Sequence, residues 1–144
     1  YTALDETKSQ IRVLKLYRAK NFGDPLVLDV QIQNLDDDML SNPFSRYTAL
    51  SYCWGPPIMD ASIILAGHHF PITKSLESAL RHLRNKGDYE LWWIDQISIN
   101  QADIDERGSQ VSLMRQIYKR AGSVQVWLGD EADDSSTAFD VLNR

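Results

Sequence analysis

The chain has 144 residues, 43% hydrophobic and 24% charged, which suits one ordinary domain with its own core and excludes a disordered segment. With 20 acids against 15 bases the net charge is −5, the wrong sign for gripping nucleic-acid phosphates or anionic lipid. Cys53 is the sole cysteine, which excludes an intrachain disulfide.

Residues 9–35 predict an N-terminal β-hairpin. Ile11, Val13 and Tyr17 share one face and Leu14 and Leu16 the other, while Leu26, Leu28, Val30 and Ile32 keep a two-residue period. Asn21-Phe22-Gly23-Asp24-Pro25 supplies the turn, and a polar loop from Asp36 to Pro43 leads into an α/β core over 47–144. The strand Tyr47–Trp54 is ended abruptly by Gly55-Pro56-Pro57. Ser62–Ile72 predicts an internal hairpin turning at Ala66-Gly67-His68, after which Thr73 caps a helix carrying Leu76, Leu80 and Leu83. Leu91-Trp92-Trp93-Ile94 is a continuous apolar run ending in Asp95, the pattern of a strand buried on both faces.

Asp103, with Glu106 three residues on, forms an Asp-led capping box for a helix over 103–121. Its apolar stripe reads Ile104, Val111, Met114, Ile117, Tyr118 and Ala121. Ser123–Leu128 is a further strand, and the acidic loop 130–134 leads into a last helix. The alternation after Tyr47 predicts an α/β fold whose central sheet is mainly parallel, contains 47–53, 91–95 and 123–128, and carries flanking helices with both hairpins added.

In such a sheet the loops at the carboxyl ends of the strands converge on one edge, where ligands bind. Here these loops begin with Trp54-Gly55-Pro56-Pro57, Asp95–Gln101 and Gly129–Asp134. The candidate catalytic carboxylates are Asp95 and Glu106, and the candidate ligand-binding residues are Trp54, Gly55, Asn100 and Gln101. Each also has a structural reading. Asp95 equally suits bonding the amides of its own loop, Asn100 suits shaping a turn, and Glu106 suits the capping box better than catalysis. Trp54 is one of four tryptophans, which mostly pack cores. The seven glycines are scattered, so no phosphate-cradling loop is formed, and His68-His69 lacks the partners of a zinc site. No cofactor or metal is expected. Cys53, without a neighbouring His, reads as a small core residue.

Two blocks of residues resemble the fungal heterokaryon-incompatibility (HET) domain family. The first is Tyr47-Thr-Ala-Leu-Ser-Tyr-Cys-Trp54-Gly55. The second runs Trp93-Ile94-Asp95, Ile97-Ser98-Ile99-Asn100-Gln101, Asp103, Glu106, Gln110-Val111, Met114, Ile117-Tyr118, Ala121, Val124 and Trp127-Leu128-Gly129. Ser98 stands where the family commonly has Cys, so the position reads as structural. The resemblance implies a module of fungal nonself recognition that triggers death of fused incompatible cells, often at the N-terminus of larger proteins. A more distant similarity is to TIR domains, which have a flavodoxin-like fold, signal by assembling and in some members hydrolyse NAD. TIR hydrolases carry Glu four residues after a Ser; Ser136-Thr137-Ala138-Phe139-Asp140 keeps that spacing with an acid about 1.5 Å shorter.

Three functional classes follow: a death module acting by assembly, a hydrolase cleaving NAD or a related nucleotide, and a non-catalytic α/β scaffold. The first implies self-association and a C-terminal or separate regulatory protein; the second implies a nucleotide ligand. No apolar run of 18 residues and no signal-peptide start appear, so a cytoplasmic protein without a membrane span is expected. With Tyr1 in place of an initiating Met and Arg144 inside a helical pattern, the 144 residues read as one domain cut from a longer protein.

Overall fold

The computed structural model describes residues 1–37, 46–84 and 87–129. The acidic loop, the last helix and Asp140 lie outside the described residues. The strands are β1 (Gln10–Tyr17), β2 (Val27–Asn34), β3 (Thr48–Tyr52), β4 (Ala61–Leu65), β5 (His68–Ile72), β6 (Tyr89–Trp93) and β7 (Ser123–Trp127). Three α-helices accompany them among the described residues, α1 (Lys74–Leu83), α2 (Asp95–Ser98) and α3 (Ile104–Arg120), with one turn of 3-10 helix at Glu6–Lys8 ahead of β1.

All seven strands join one sheet in the order β5-β4-β2-β1-β6-β3-β7. β3 lies parallel to both β6 and β7, which forms the parallel unit expected from 47–53, 91–95 and 123–128. The sheet as a whole is mixed rather than mainly parallel. β2 and β4 make a third parallel pairing, but β1–β2, β1–β6 and β4–β5 are antiparallel. The reason is that both hairpins, expected as additions, are built into the sheet, and a strand returning through a tight turn must run antiparallel. In the second hairpin Ala66 and Gly67 both adopt positive φ (48° and 81°), the backbone of a two-residue turn whose twist matches its strands. Pro71 is accommodated because β5 is an edge strand.

The two-residue period of the strands divides the core into two layers. Leu14, Leu16, Leu50, Trp92 and Ile94 pack with Leu76, Ala79 and Leu80 of α1. Their neighbours in sequence, Ile11, Val13, Ala49, Leu91 and Trp93, pack with Ile117 and the partly buried Leu113, Met114 and Tyr118 of α3. The helices therefore cover opposite faces, and β1 and β6 are apolar on both sides because both sides are covered. Tyr47 and Tyr118 hold α3 to the sheet by donating to the Ile117 carbonyl (2.5 Å) and the Leu50 carbonyl (2.9 Å).

The stripe expected on α3 needs correction. Ile104 and Val111 are 73% and 55% exposed, and the buried face runs instead through Gln110, Leu113, Met114, Ile117 and Ala121. At 100° per residue, Val111 and Ile104 lie about 120° and 140° round the helix from Ile117. Asp103 does cap the helix, accepting from the Glu106 amide at 3.1 Å, but Glu106 does not reach back to complete a capping box.

Candidate functional site

β3 delivers Tyr52 and Trp54 to the carboxyl edge of the parallel strands, and β6 delivers Asp95. Gly55, exposed and at φ 70°, makes the left-handed turn that ends the first of these segments. The Trp54 indole donates to both Asp95 oxygens, at 3.1 and 3.0 Å. The Gln96 amide donates to the same carboxylate at 2.7 Å. Burial raises the Asp95 pKa above the ordinary carboxylate range, against the lowering effect of hydrogen bonds from Trp54, the Gln96 amide and Tyr52. Tyr52 is also raised, by burial first and by the Asp95 charge second. Asp95 is thus a half-buried acid held in one orientation by an indole, a phenol and a backbone amide.

Behind it, the Gln96 side chain donates to Tyr52 Oη (3.0 Å) and Thr73 Oγ1 (3.1 Å) and accepts from the Thr73 amide (2.9 Å). Thr73 is the N-cap of α1, so this amide ties the acid's loop to that helix. Sequence reasoning passed over Tyr52 and Gln96. The signal for Tyr52 was its two-residue spacing from Trp54, which puts both on one face. Gln96 carried none, because its burial follows from the short helix α2, where a polar loop was expected.

The remaining candidates are placed differently. Gln101 donates to the Asp95 backbone carbonyl at 2.9 Å and so holds the loop. Asn100 uses Oδ1 to accept from the Ala102 amide at 3.3 Å, a turn-forming bond. Glu106 is not joined to Asp95. It pairs with the guanidinium of Arg12, whose second contact is 3.1 Å, and accepts the Asn100 amide at 3.0 Å. Burial would raise the Glu106 pKa, but the hydrogen bonds from Arg12 and Asn100 and the Arg12 charge outweigh it and hold the carboxyl below the usual range. Arg12, only 1% exposed on β1, also donates to the Thr2 and Ser98 carbonyls at 2.7 and 3.1 Å. Its mid-strand position among apolar residues was the overlooked clue, since an unpaired charge cannot be buried there. Ser98 is fully buried, and its hydroxyl accepts from the Ile94 amide at 3.1 Å. Cys53 is exposed, not a core residue.

A mixed α/β domain with a carboxylate fixed at the carboxyl edge of its parallel strands is the class that the fold and this site define. Within that class the chain belongs to the heterokaryon incompatibility (HET) family: the model of "Heterokaryon incompatibility protein (HET)" matches residues 47–144. The chain is also 38% identical over 153 residues to "Heterokaryon incompatibility protein 6, OR allele" of Neurospora crassa. That alignment covers 97% of this chain and 22% of the relative, so the chain spans about a fifth of the relative's length. No solved structure matches it. Among the described residues no helix is long and apolar enough to cross a membrane.

Proposed function

We propose that this chain is the HET module of a fungal nonself-recognition protein, and that it triggers death of fused incompatible cells by assembling in the cytoplasm. The observation that carries this reading is membership of the HET family together with 38% identity to a relative named for heterokaryon incompatibility. Assembly is supported by the parallel β6-β3-β7 unit, whose strands follow the same chain order as the start of a TIR, flavodoxin-like domain, a class that signals by association. A C-terminal or separate regulatory protein supplies the trigger. Fusing the chain to an unrelated inducible dimerisation module tests this: dimerisation should raise killing, and killing that ignores it removes assembly from the mechanism.

A second reading is favoured by Asp95 itself. Hydrolysis of the bond between nicotinamide and ribose passes through positive charge on the sugar; water adds at the anomeric carbon as nicotinamide leaves. A fixed carboxylate stabilises that charge, and an aromatic ring holds the departing base. Asp95 would supply the carboxylate and Trp54 the ring, with Gln101 holding the acid's loop. Glu106 is less suited because Arg12 already engages it. Nicotinamide release from NAD by the assembled protein, lost in a folded Asp95→Asn variant, is the expected result. Full killing by that variant, with NAD intact in cells expressing the parent, would leave the non-catalytic reading alone.

A further inference from the structure

β7 stands at one end of the sheet, and among the described residues it is paired on one side only, with β3. An edge strand is a row of unmade backbone hydrogen bonds, and native proteins blunt such edges with charge, proline or a bulge. The opposite edge follows that rule, since β5 carries Pro71. β7 reads Ser123-Val124-Gln125-Val126-Trp127 and has neither charge nor proline. In a parallel pair, facing residues share a side of the sheet, so Val124 lies on the side of Ala49, which is buried in the α3 layer of the core. Val124 and Val126 point that way too, yet they are 47% and 55% exposed. The last strand therefore offers both an open backbone edge and an uncovered apolar face.

The charges at the two ends of β7 select what completes it. At its start stand Lys119 and Arg120, which end α3, and Arg46, on which Gly122 packs so closely that a Cβ there would meet it at 3.3 Å. All three cations are exposed, and none forms an ion pair among the described residues. Asp36 shares a hollow with Lys119 and Arg120 but pairs with neither. After β7 the sequence is acidic, with Asp130, Glu131, Asp133 and Asp134 following Gly129. A second β7 lying parallel would set like charge beside like at both ends. Lying antiparallel, it sets the acidic end of each strand beside the basic start of the other. The strand is thus complementary to itself, in one polarity.

We propose that two copies of this chain join edge to edge through β7, antiparallel about a two-fold axis at Gln125. In that register every residue of the strand finds a counterpart. Gln125 faces Gln125, and Val124 of each copy faces Val126 of the other, which closes the uncovered valines into one apolar strip. The two sheets become continuous. The proposal deepens the assembly reading by naming its interface, and it is tested on association alone, so its failure is distinct from a failure of killing to follow dimerisation.

The test is sedimentation equilibrium of the 144-residue chain, of its Gln125→Lys and Gln125→Glu variants, and of an equimolar mixture of the two. A five-residue edge is a small interface, so the parent should dimerise weakly, with Kd on the order of 100 μM, and less well as salt is raised. Either variant alone sets like charges opposite each other on the axis and should weaken dimerisation by at least about fivefold. The mixture sets Lys against Glu and should recover it. Gln125 is exposed, so both variants should keep the parent's amide NMR spectrum outside β7. In the parent itself, amide signals that move with concentration should centre on 123–128 and on Arg46, Lys119 and Arg120. A parent that stays monomeric to about 1 mM, concentration shifts centred elsewhere, variants that dimerise like the parent, or a mixture that does not recover would each overturn the proposal. So would β7 amides protected from exchange along the whole strand in the dilute monomer, since the chain's own continuation would then hold the edge.

Discussion

Replacing Glu106 by Gln separates its structural role from a catalytic one. Arg12 is 1% exposed, and among the described residues Glu106 is its only carboxylate partner; its other bonds go to the Thr2 and Ser98 carbonyls, with the Tyr1 ring 4.6 Å away. Glutamine keeps one acceptor but removes the counter-charge, leaving a buried cation compensated by neutral dipoles. Breaking such a pair costs about 3–5 kcal/mol, and the retained acceptor places this variant near the lower end, at about 3 kcal/mol. For a domain of this size that corresponds to a loss of roughly 10 °C in Tm.

The pH dependence has a definite sign. The folded-state pKa of Glu106 is depressed, so the pair's contribution is fully present above the unfolded value near ~4.3 and is lost as pH falls through the folded one. Urea unfolding at pH 7 and along a descending pH series should show the parent losing stability in acid more steeply than Glu106→Gln. A loss at pH 7 below about 1 kcal/mol, or identical acid limbs, would refute the assignment. The double variant Arg12→Met/Glu106→Leu removes both charges and should recover most of the loss, because an apolar pair of similar volume avoids desolvating two ions.

Asp95→Asn should behave in the opposite sense. Burial raises the folded pKa of Asp95, so its contribution is greatest below the unfolded value and is lost as pH rises through the folded one. At pH 7 the amide variant, still able to accept from Trp54 and Gln96, should be at least as stable as the parent, with the difference vanishing in acid; a loss above about 1 kcal/mol at pH 7 would contradict this. On α3, Ile117→Ala should cost roughly 2–5 kcal/mol and Val111→Ala less than about 0.5 kcal/mol in the same assay. Equal costs would mean that the buried face has been drawn wrongly.

Local patterns made much of the fold legible. The two-residue period of 26–32, the glycine turn at 67 and the continuous apolar run 91–94 located strands within a residue or two of β2, the second hairpin and β6. Strand pairing was less accessible, because periodicity reports which faces are buried and not which neighbour lies alongside. Ile11, Val13, Leu14 and Leu16 announced a strand covered on both sides, yet nothing local said that β1 would sit against β6. The α3 stripe failed for a similar reason. Ile104 and Val111 are apolar and one heptad apart, and only the helix's docking through Ile117 shows that they face outwards. At the site, residue type picked out Asp95 and Trp54, but the polar side chains supporting them are set by tertiary contacts.

The segment from Ile94 to Glu106 connects these observations physically. At one end Ser98 Oγ accepts the Ile94 amide and Gln101 holds the Asp95 carbonyl; at the other, Arg12 takes the Ser98 carbonyl and Glu106 takes the Asn100 amide. The acid at the sheet edge and the ion pair beneath α3 are therefore anchored to one short stretch of backbone. Loss of the Glu106 charge releases Arg12 as well, and with it a tether on the loop that orients Asp95. Reduced killing by Glu106→Gln would consequently say little about chemistry at residue 106. The double variant separates stability from these tethers, because it removes the bonds to both the Ser98 carbonyl and the Asn100 amide. If restored stability brings restored killing, Glu106 acts only through the stability of the fold; if stability returns and killing does not, the tethered loop or the carboxylate itself is required.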